Sequence, residues 1–577
     1  MNYVDAYKRW LESPVVDENT KSELRTISDN DNEIKERFYR SLEFGTAGLR
    51  GIIGAGTNRM NIYTVRLATQ GLCEDIKNCG QKAVEAGVVI AYDSRHKSYE
   101  FALESAKVLA ANGIKAYLFD ELRPTPELSF AIRHLKCSRG IVITASHNPK
   151  EYNGYKAYGE DGGQLPPASS DYVISIISKT DIFDDVKVIT EAEAKEKGLL
   201  EIIGEDVDKA YLQNVLKQSV STEPIEKLGD DFSVIYSPFH GTGNKPVRRI
   251  LDMIGIKNLR VVKEQELPDP DFSTVKSPNP EEKAGFSYAI EMAKKEKADL
   301  IFATDPDADR IGVIATDANG DYVTLSGNQI GVLLTEFMLR SKKENGTLNN
   351  KGAIIKTIVT TSMIYPIVKE YGVNVHDVLT GFKYIAELIK DFEENNYYNE
   401  FILGFEESYG YLSGTYARDK DAVVAAMLIS EMAADYKLKG KTLYEGLIDL
   451  YEKYGYYMER GKSVTFEGID GAEKIKNIMD MFRQNPPKEF ASLKVLRMWD
   501  VKRGVITSFD GGEDEKIHLP PADVFRYDLE NNAWFAVRPS GTEPKIKFYF
   551  GVCENSYAKA EQKLDECIAE ISKILKV

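Results

Sequence analysis

Short runs of aliphatic and β-branched residues, each closed by turn residues and followed by a helical pattern, recur at 88–91, 114–119, 141–144, 234–236, 300–303 and 353–356. That alternation of strand and helix admits α/β domains with largely buried sheets. No apolar run approaches eighteen residues, so none is long enough to span a membrane. From about Gly461 the texture changes to alternating strands at 463–466, 534–537 and 546–550, with a helix expected over 557–575, which reads as an α+β domain. A chain of 577 residues exceeds what one core holds together. At roughly 150 residues per domain it predicts about four. Turn-rich and charged stretches divide it into 1–205, 206–322, 323–455 and 456–577. No close repeat or low-complexity linker separates them.

Charge narrows the partners. Seventy-four Lys plus Arg against ninety Asp plus Glu leave a formal charge of -16, which repels nucleic acid and acidic membrane surfaces. A small anion must then be held by cations gathered locally, so Arg and Lys inside motifs carry information. The five cysteines form no CxxC pair and are odd in number, which fits a reducing compartment. The amino terminus is polar and lacks an apolar h-region, so a cytoplasmic protein is expected.

Three segments carry the chemistry. In the first, the apolar run 140–143 enters Thr144-Ala-Ser146-His147-Asn148-Pro149 and continues to Lys156. Such a turn presents an exposed hydroxyl at the carboxyl end of a strand, where open α/β sheets place their sites, so Ser146 is the candidate nucleophile. Alone, the same turn also fits a helix-capping hydroxyl. In the second, Asp305, Asp307 and Asp309 alternate directly after a buried strand and repel one another unless a divalent cation neutralises them. An EF-hand would need Gly and Glu where Arg310 and Thr316 stand. Three carboxylates with room for water and phosphate suit Mg²⁺, and the adjacent Arg310 suits an anion; the alternative is a solvated acidic turn. In the third, Arg538-Pro-Ser540-Gly541-Thr542-Glu-Pro combines a planar cation, hydroxyls and a glycine, a combination that matches phosphate; the alternative is a hairpin turn. Weaker pieces are Phe44 to Gly51 with Arg50, Thr380-Gly381-Phe-Lys383, Gly404 to Gly410 with Glu406 and Ser408, and Arg418-Asp-Lys-Asp. Nothing matches GxxxxGK[ST], GxGxxG, HExxH or a zinc CxxC pair.

Together TASHNP, DPDADR, GFEES and RPSGTEP, in this order, resemble the α-D-phosphohexomutases, the phosphoglucomutase and phosphomannomutase superfamily, over nearly the whole chain. The resemblance implies three related α/β domains and a C-terminal α+β domain around a central cleft. It implies a phosphoserine at Ser146, with Asp305, Asp307 and Asp309 as Mg²⁺ ligands together with the phosphate on Ser146. His147, Arg50 and Lys156 match basic positions at the transfer site. Arg310, Thr380, Gly381, Lys383, Glu406, Ser408 and Arg418 would contact the sugar. Arg538, Ser540, Gly541, Thr542 and Lys547 would hold the phosphate that is not being transferred. The implied reaction interconverts glucose 1-phosphate and glucose 6-phosphate through bound glucose 1,6-bisphosphate, with small sugar phosphates as partners.

Ala47 departs from the GTSG form of the first motif, where many relatives carry Ser. The loop Glu406-Glu407-Ser408-Tyr409-Gly410 resembles glucose-phosphate mutases more than the GExSGH form, which tilts the expectation towards glucose over mannose or pentose phosphate. A sugar phosphatase would need no second phosphate pocket. A non-catalytic sensor would be expected to lack the nucleophile or a metal ligand, and this chain keeps both.

Overall fold

The computed structural model describes residues 2–45, 48–395, 400–466, 471–540 and 545–575. Three short helices come first, Tyr3–Glu12, Glu18–Thr26 and Asp31–Phe38. Asn2, Asp17 and Asn30 start them by accepting hydrogen bonds from first-turn N–H groups. They close over Trp10, which meets Phe38, Tyr63 and Phe183 edge-on and so fastens the cluster to the first α/β unit.

Three α/β units follow, each on the same four strands. In the first these are Val88–Tyr92, Ala116–Phe119, Arg139–Ile143 and Tyr152–Tyr158. In the second they are Ser233–Ser237, Asn258–Val261, Leu300–Thr304 and Ile311–Thr316. In the third they are Gly352–Thr357, Asn374–Val378, Glu400–Glu406 and Gly410–Leu412. The spatial order is always second, first, third, fourth. The second and third strands pair parallel with the first, and the fourth returns antiparallel to the third. The first strand of each unit is buried along its whole length, which is why these stretches read as largely apolar runs.

The first sheet adds Gly48–Ile52 and Leu200–Ile203 at its edges, and the second adds Tyr322–Leu325. That last strand pairs with Ile311–Thr316, so the boundary expected at 322 falls on a strand of the second sheet. Those expected at 205 and 455 fall at the start of helix Glu205–Leu216 and just after helix Leu443–Tyr454. The buried helix Ala422–Leu438 packs the third unit against helix Asn244–Met253 of the second, and one apolar core runs through all three.

The C-terminal unit is an antiparallel sheet with helices Gly471–Gln484 and Tyr557–Leu575, and its core includes Met479, Phe482, Phe535, Phe548 and Leu564. Its first strand, Tyr456–Thr465, begins before the change of texture at Gly461 because it pairs along its full length with Lys545–Glu554.

Candidate active site

In each α/β unit the connection between the third and fourth strands carries one of the motifs: 144–151, 305–310 and 407–409. The shared topology therefore delivers all three from equivalent hairpins. Each hairpin contains a non-glycine residue in the left-handed region, Ser146 at φ 52°, Ala308 at 49° and Tyr409 at 66°. Close backbone approach holds two of them. A Cβ on Gly241 would lie 2.5 Å from Pro306, and one on Gly327 would lie 2.3 Å from the Glu407 carbonyl.

Ser146 is 3% exposed rather than open to solvent as its turn suggested, because the second unit closes over it. Its Oγ donates to Asp305 Oδ2 at 2.8 Å and lies 3.2 Å from His147 Nδ1. Burial first, then Arg310 and Arg50, pushes the His147 imidazole down to about 2, so the ring is neutral. Arg50 is exposed and donates to Asn148 Oδ1 at 3.4 Å. Lys156, on the returning strand, donates to Asp307 Oδ2 at 2.9 Å.

Asp305, Asp307 and Asp309 are all buried, and one oxygen from each lies within 4.8 Å of the others. Burial, then Asp307 and Asp309, drives Asp305 far above the carboxylate range, although its Oδ1 accepts from the N–H groups of Asp309 and Arg310. Burial also opposes the charge on Asp307, but Lys156 and hydrogen bonds including Thr125 outweigh it and hold Asp307 below the usual range. Asp307 Oδ1 and Asp309 Oδ1 are buried without a hydrogen-bond partner. Orphaned carboxylate oxygens beside an acid that cannot easily ionise fit a hard divalent cation.

Arg310 is held within the second unit, where its Nη1 pairs with Glu281 at 2.8 Å and its Nε lies 3.7 Å from Asp309 Oδ1, while the charge of Glu406 in the third unit also acts on it. Glu406 accepts from the Gly381 N–H at 2.7 Å. Gly381 has φ 123°, which aims that N–H where most residues could not. Ser408 and Thr380 are half-buried beside these groups, and the Lys383 ammonium lies over the Tyr384 ring at 4.8 Å.

Arg418 is not brought to the cluster. It is 1% exposed, and its guanidinium is taken up by the Thr415 and Ala417 carbonyls and by Glu393. Lys420, two residues on, reaches the cluster instead, 3.1 Å from Asp309 Oδ2 and 2.8 Å from Asp419 Oδ1.

On the C-terminal sheet Arg538 lies directly opposite Lys547, and Ser540 N donates to the Lys545 carbonyl at 2.7 Å. Gly541 and Thr542, and Ala47 of the first motif, lie outside the described residues. Burial and then Arg538 hold Lys547 below the usual lysine range, while Glu407 pulls it back. Glu407 in turn is raised by burial and lowered by Arg538 and Lys547, so the sugar loop and the candidate phosphate loop share one field.

Sequence reasoning missed Thr125 and Arg95, and within the piece 418–421 it chose Arg418 rather than Asp419 and Lys420. Thr125 clamps the Asp loop, with its N–H on the Asp307 carbonyl and its Oγ1 on Asp307 Oδ2, both at 2.9 Å. Arg95 gathers the carbonyls of the Ser146 loop. The available signal was Asp93-Ser94-Arg95, polar residues directly after a buried strand and at the same sheet end as the motifs.

Family models described as phosphoglucomutase/phosphomannomutase match in four consecutive stretches: alpha/beta/alpha domain I over 41–182, domain II over 209–320, domain III over 326–454 and the C-terminal domain over 470–569. A phosphoglucomutase of Staphylococcus epidermidis is 38% identical over 561 residues, covering 97% of this chain and 99% of the relative. A phosphoglucomutase of Staphylococcus aureus is 37% identical over 539 residues, covering 93% and 94%. Among solved structures, a putative phosphomannomutase from Thermus thermophilus superposes with a TM-score of 0.67 at 22% identity, covering 93% of this chain and 100% of that one. The open form of pp63/parafusin from Paramecium gives 0.67 at 19%, covering 93% and 96%. Both share the fold.

Proposed function

The chain belongs to the phosphoglucomutase/phosphomannomutase family, and on that premise we propose that it interconverts glucose 1-phosphate and glucose 6-phosphate through a phosphoserine at Ser146 and bound glucose 1,6-bisphosphate. It is an intramolecular phosphotransferase of the isomerase class. The observation that carries the mechanism is Ser146 Oγ at 2.8 Å from Asp305 Oδ2, inside a triad of buried carboxylates.

Asp305, Asp307 and Asp309 would hold a divalent cation, for which we propose Mg²⁺, with an oxygen of the Ser146 phosphate completing the set. Bound there, it supplies charge neutralisation for the moving phosphoryl group. The chain's own groups supply alignment and further cations. Lys156 of the first unit and Lys420 of the third brace the Asp loop, and the Arg310 charge acts on both that loop and Glu406. In the forward step a P–O bond forms to a sugar hydroxyl oxygen, the bond to Ser146 Oγ breaks, and the hydroxyl proton ends on Oγ. Asp305 Oδ2 is within reach of that proton. His147 Nδ1, 3.2 Å from Ser146 Oγ, helps to orient that oxygen. The bisphosphate then turns over, and its other phosphoryl group returns to Ser146.

Turning over requires a grip on the far phosphate. Arg538, Lys547 and Ser540, with Gly541 and Thr542, are our candidates, because they come from a different unit from the Ser146 loop. Glu406, Ser408, Gly381, Thr380 and Lys383 are the candidates for ring hydroxyls, with Arg50 and Arg310 for the reacting end. Arg418 is withdrawn from that set, since its guanidinium is occupied by Glu393 and backbone carbonyls.

A coupled assay with glucose 1-phosphate, glucose 1,6-bisphosphate and Mg²⁺ tests the reading. Wild type turns over, and Ser146→Ala does not while remaining folded. Wild-type-like activity in Ser146→Ala would refute the phosphoserine. Loss of the buried hydroxyl's bond to Asp305 costs about 1 kcal/mol of stability.

A further inference from the structure

We propose that Arg95 is the positioning residue for phosphoryl transfer at Ser146, holding the serine loop in its reactive shape and tying that shape to the seating of the second unit. This rests on Ser146 as the phosphoryl carrier. Arg95 follows the buried strand Val88–Tyr92 and is 3% exposed. Its Nη2 donates to the Ser146 and Asn148 carbonyls, both at 2.5 Å, and its Nη1 donates to the Pro149 and Tyr152 carbonyls at 2.8 and 3.1 Å. Three of these acceptors belong to the loop that carries Ser146, and the fourth is the first residue of the strand that follows it. A lone planar cation thus satisfies four converging carbonyl dipoles that would otherwise repel one another.

The loop needs such a restraint. Ser146 sits at φ 52°, a left-handed conformation that is strained for a residue with a β-carbon and persists only where its surroundings over-determine it. The Ser146 N–H on Thr144 Oγ1 and the Asn148 N–H on the Ala145 carbonyl are local turn bonds. Arg95 alone among these partners spans the loop from Ser146 to Tyr152. Asp93 fixes Arg95 in turn: its Oδ1 accepts the Arg95 backbone N–H at 2.9 Å, and its Oδ2 lies 3.2 Å from the guanidinium Nε.

The other face of the guanidinium stacks on Phe272 of the second unit, 4.9 Å from the ring centre. Around that contact Asp271 meets His96 and Lys150, each at 3.2 Å, and Ser277 Oγ donates to the His147 carbonyl at 3.0 Å. The serine loop is therefore clasped between Arg95 and segment 269–277, which belongs to the unit that also carries Asp305. The same two units meet again where Ser146 Oγ donates to Asp305 Oδ2 at 2.8 Å.

The test compares full-length Arg95→Met, Arg95→Lys and Phe272→Leu with wild type, all at saturating glucose 1,6-bisphosphate and Mg²⁺. It reads kcat, KM for glucose 1-phosphate, Ser146 phosphorylation by intact mass, and the thermal midpoint. Misplacing a reacting atom by about 1 Å costs about 100-fold, so Arg95→Met should lower kcat by about 100-fold while KM moves by less than about threefold. The sugar and far-phosphate contacts are untouched. Arg95→Lys, which can serve some of the carbonyls, should recover part of the loss, and Phe272→Leu should lower kcat less, in the same direction. A wild-type kcat in folded Arg95→Met, with only the thermal midpoint lowered, would overturn the proposal. If Arg95→Met does not fold, unchanged kcat in both Arg95→Lys and Phe272→Leu overturns it. Activity retained by Ser146→Ala would instead remove the phosphoserine reading, so the two failures are distinct.

Discussion

Glu406 should weaken the fold in order to serve the site. It is 5% exposed, and its carboxyl is raised from 4.5 to about 7, by burial first and then by Glu407, against the pull of Lys420, the Gly381 N–H and Arg310. At about 1.4 kcal/mol per pH unit, that displacement is worth about 3 kcal/mol. The sign follows from proton counting. Below pH 4.5 the carboxyl is protonated in folded and unfolded chains alike, and there is no penalty. Between 4.5 and about 7 the unfolded chain sheds the proton while the folded chain keeps it, so stability falls as pH rises; above 7 the whole penalty is present. Glu406→Gln removes the titration. In the presence of a chelator, its advantage over wild type should grow from near zero at pH 4.5 to about 3 kcal/mol at pH 8, read from urea midpoints across the series. The same substitution should cost about 10- to 100-fold in catalytic efficiency, because the amide presents a misplaced donor to a ring hydroxyl. A variant no more stable than wild type at pH 8, or an advantage that shrinks as pH rises, would refute the buried, proton-holding carboxyl.

Exhaustive chelation should abolish turnover and Mg²⁺ should restore it, while Asp307→Asn weakens metal dependence and rate together. Mg²⁺ at about a hundred times its dissociation constant should also stabilise the chain by about 2.7 kcal/mol, an increment missing in the variant; full activity after chelation would exclude a catalytic metal. Arg538→Ala should weaken binding of monophosphate and bisphosphate and release bisphosphate before it turns over, so unchanged saturation behaviour would move the far-phosphate grip elsewhere. Glucose 1-phosphate should exceed mannose 1-phosphate by about tenfold in efficiency, since an epimer leaves a buried polar group unpaired at about 1 to 3 kcal/mol. Ribose 1-phosphate measured alongside decides the remaining choice, and either rival outrunning glucose would overturn the specificity.

Local chemistry was legible in the sequence because it is written locally. A buried strand is an apolar run, a turn is a cluster of Ser, Asn, Pro and Gly, and three aspartates at alternate positions after such a strand make a candidate cation site. The helix read over 557–575 coincides with Tyr557–Leu575 because its apolar face is continuous over Ala560, Leu564, Cys567 and Ile571. What no local pattern contains is the arrangement between units. The three motif loops occupy the same hairpin of three copies of one topology, yet the copies share no close sequence repeat, since a covered strand needs only apolar bulk and not particular residues. Arg418 and Lys420 look interchangeable in the sequence. Only the course of the chain after Gly410–Leu412 turns one into Glu393 and the other onto Asp309. The burial of Ser146 arises where the second unit closes on the first, and the grip of Arg95 joins two loops of the first unit about fifty positions apart. Contacts between residues more than a hundred positions apart depend on how rigid units dock, and docking is set by the summed shape and charge of whole faces rather than by any stretch of sequence.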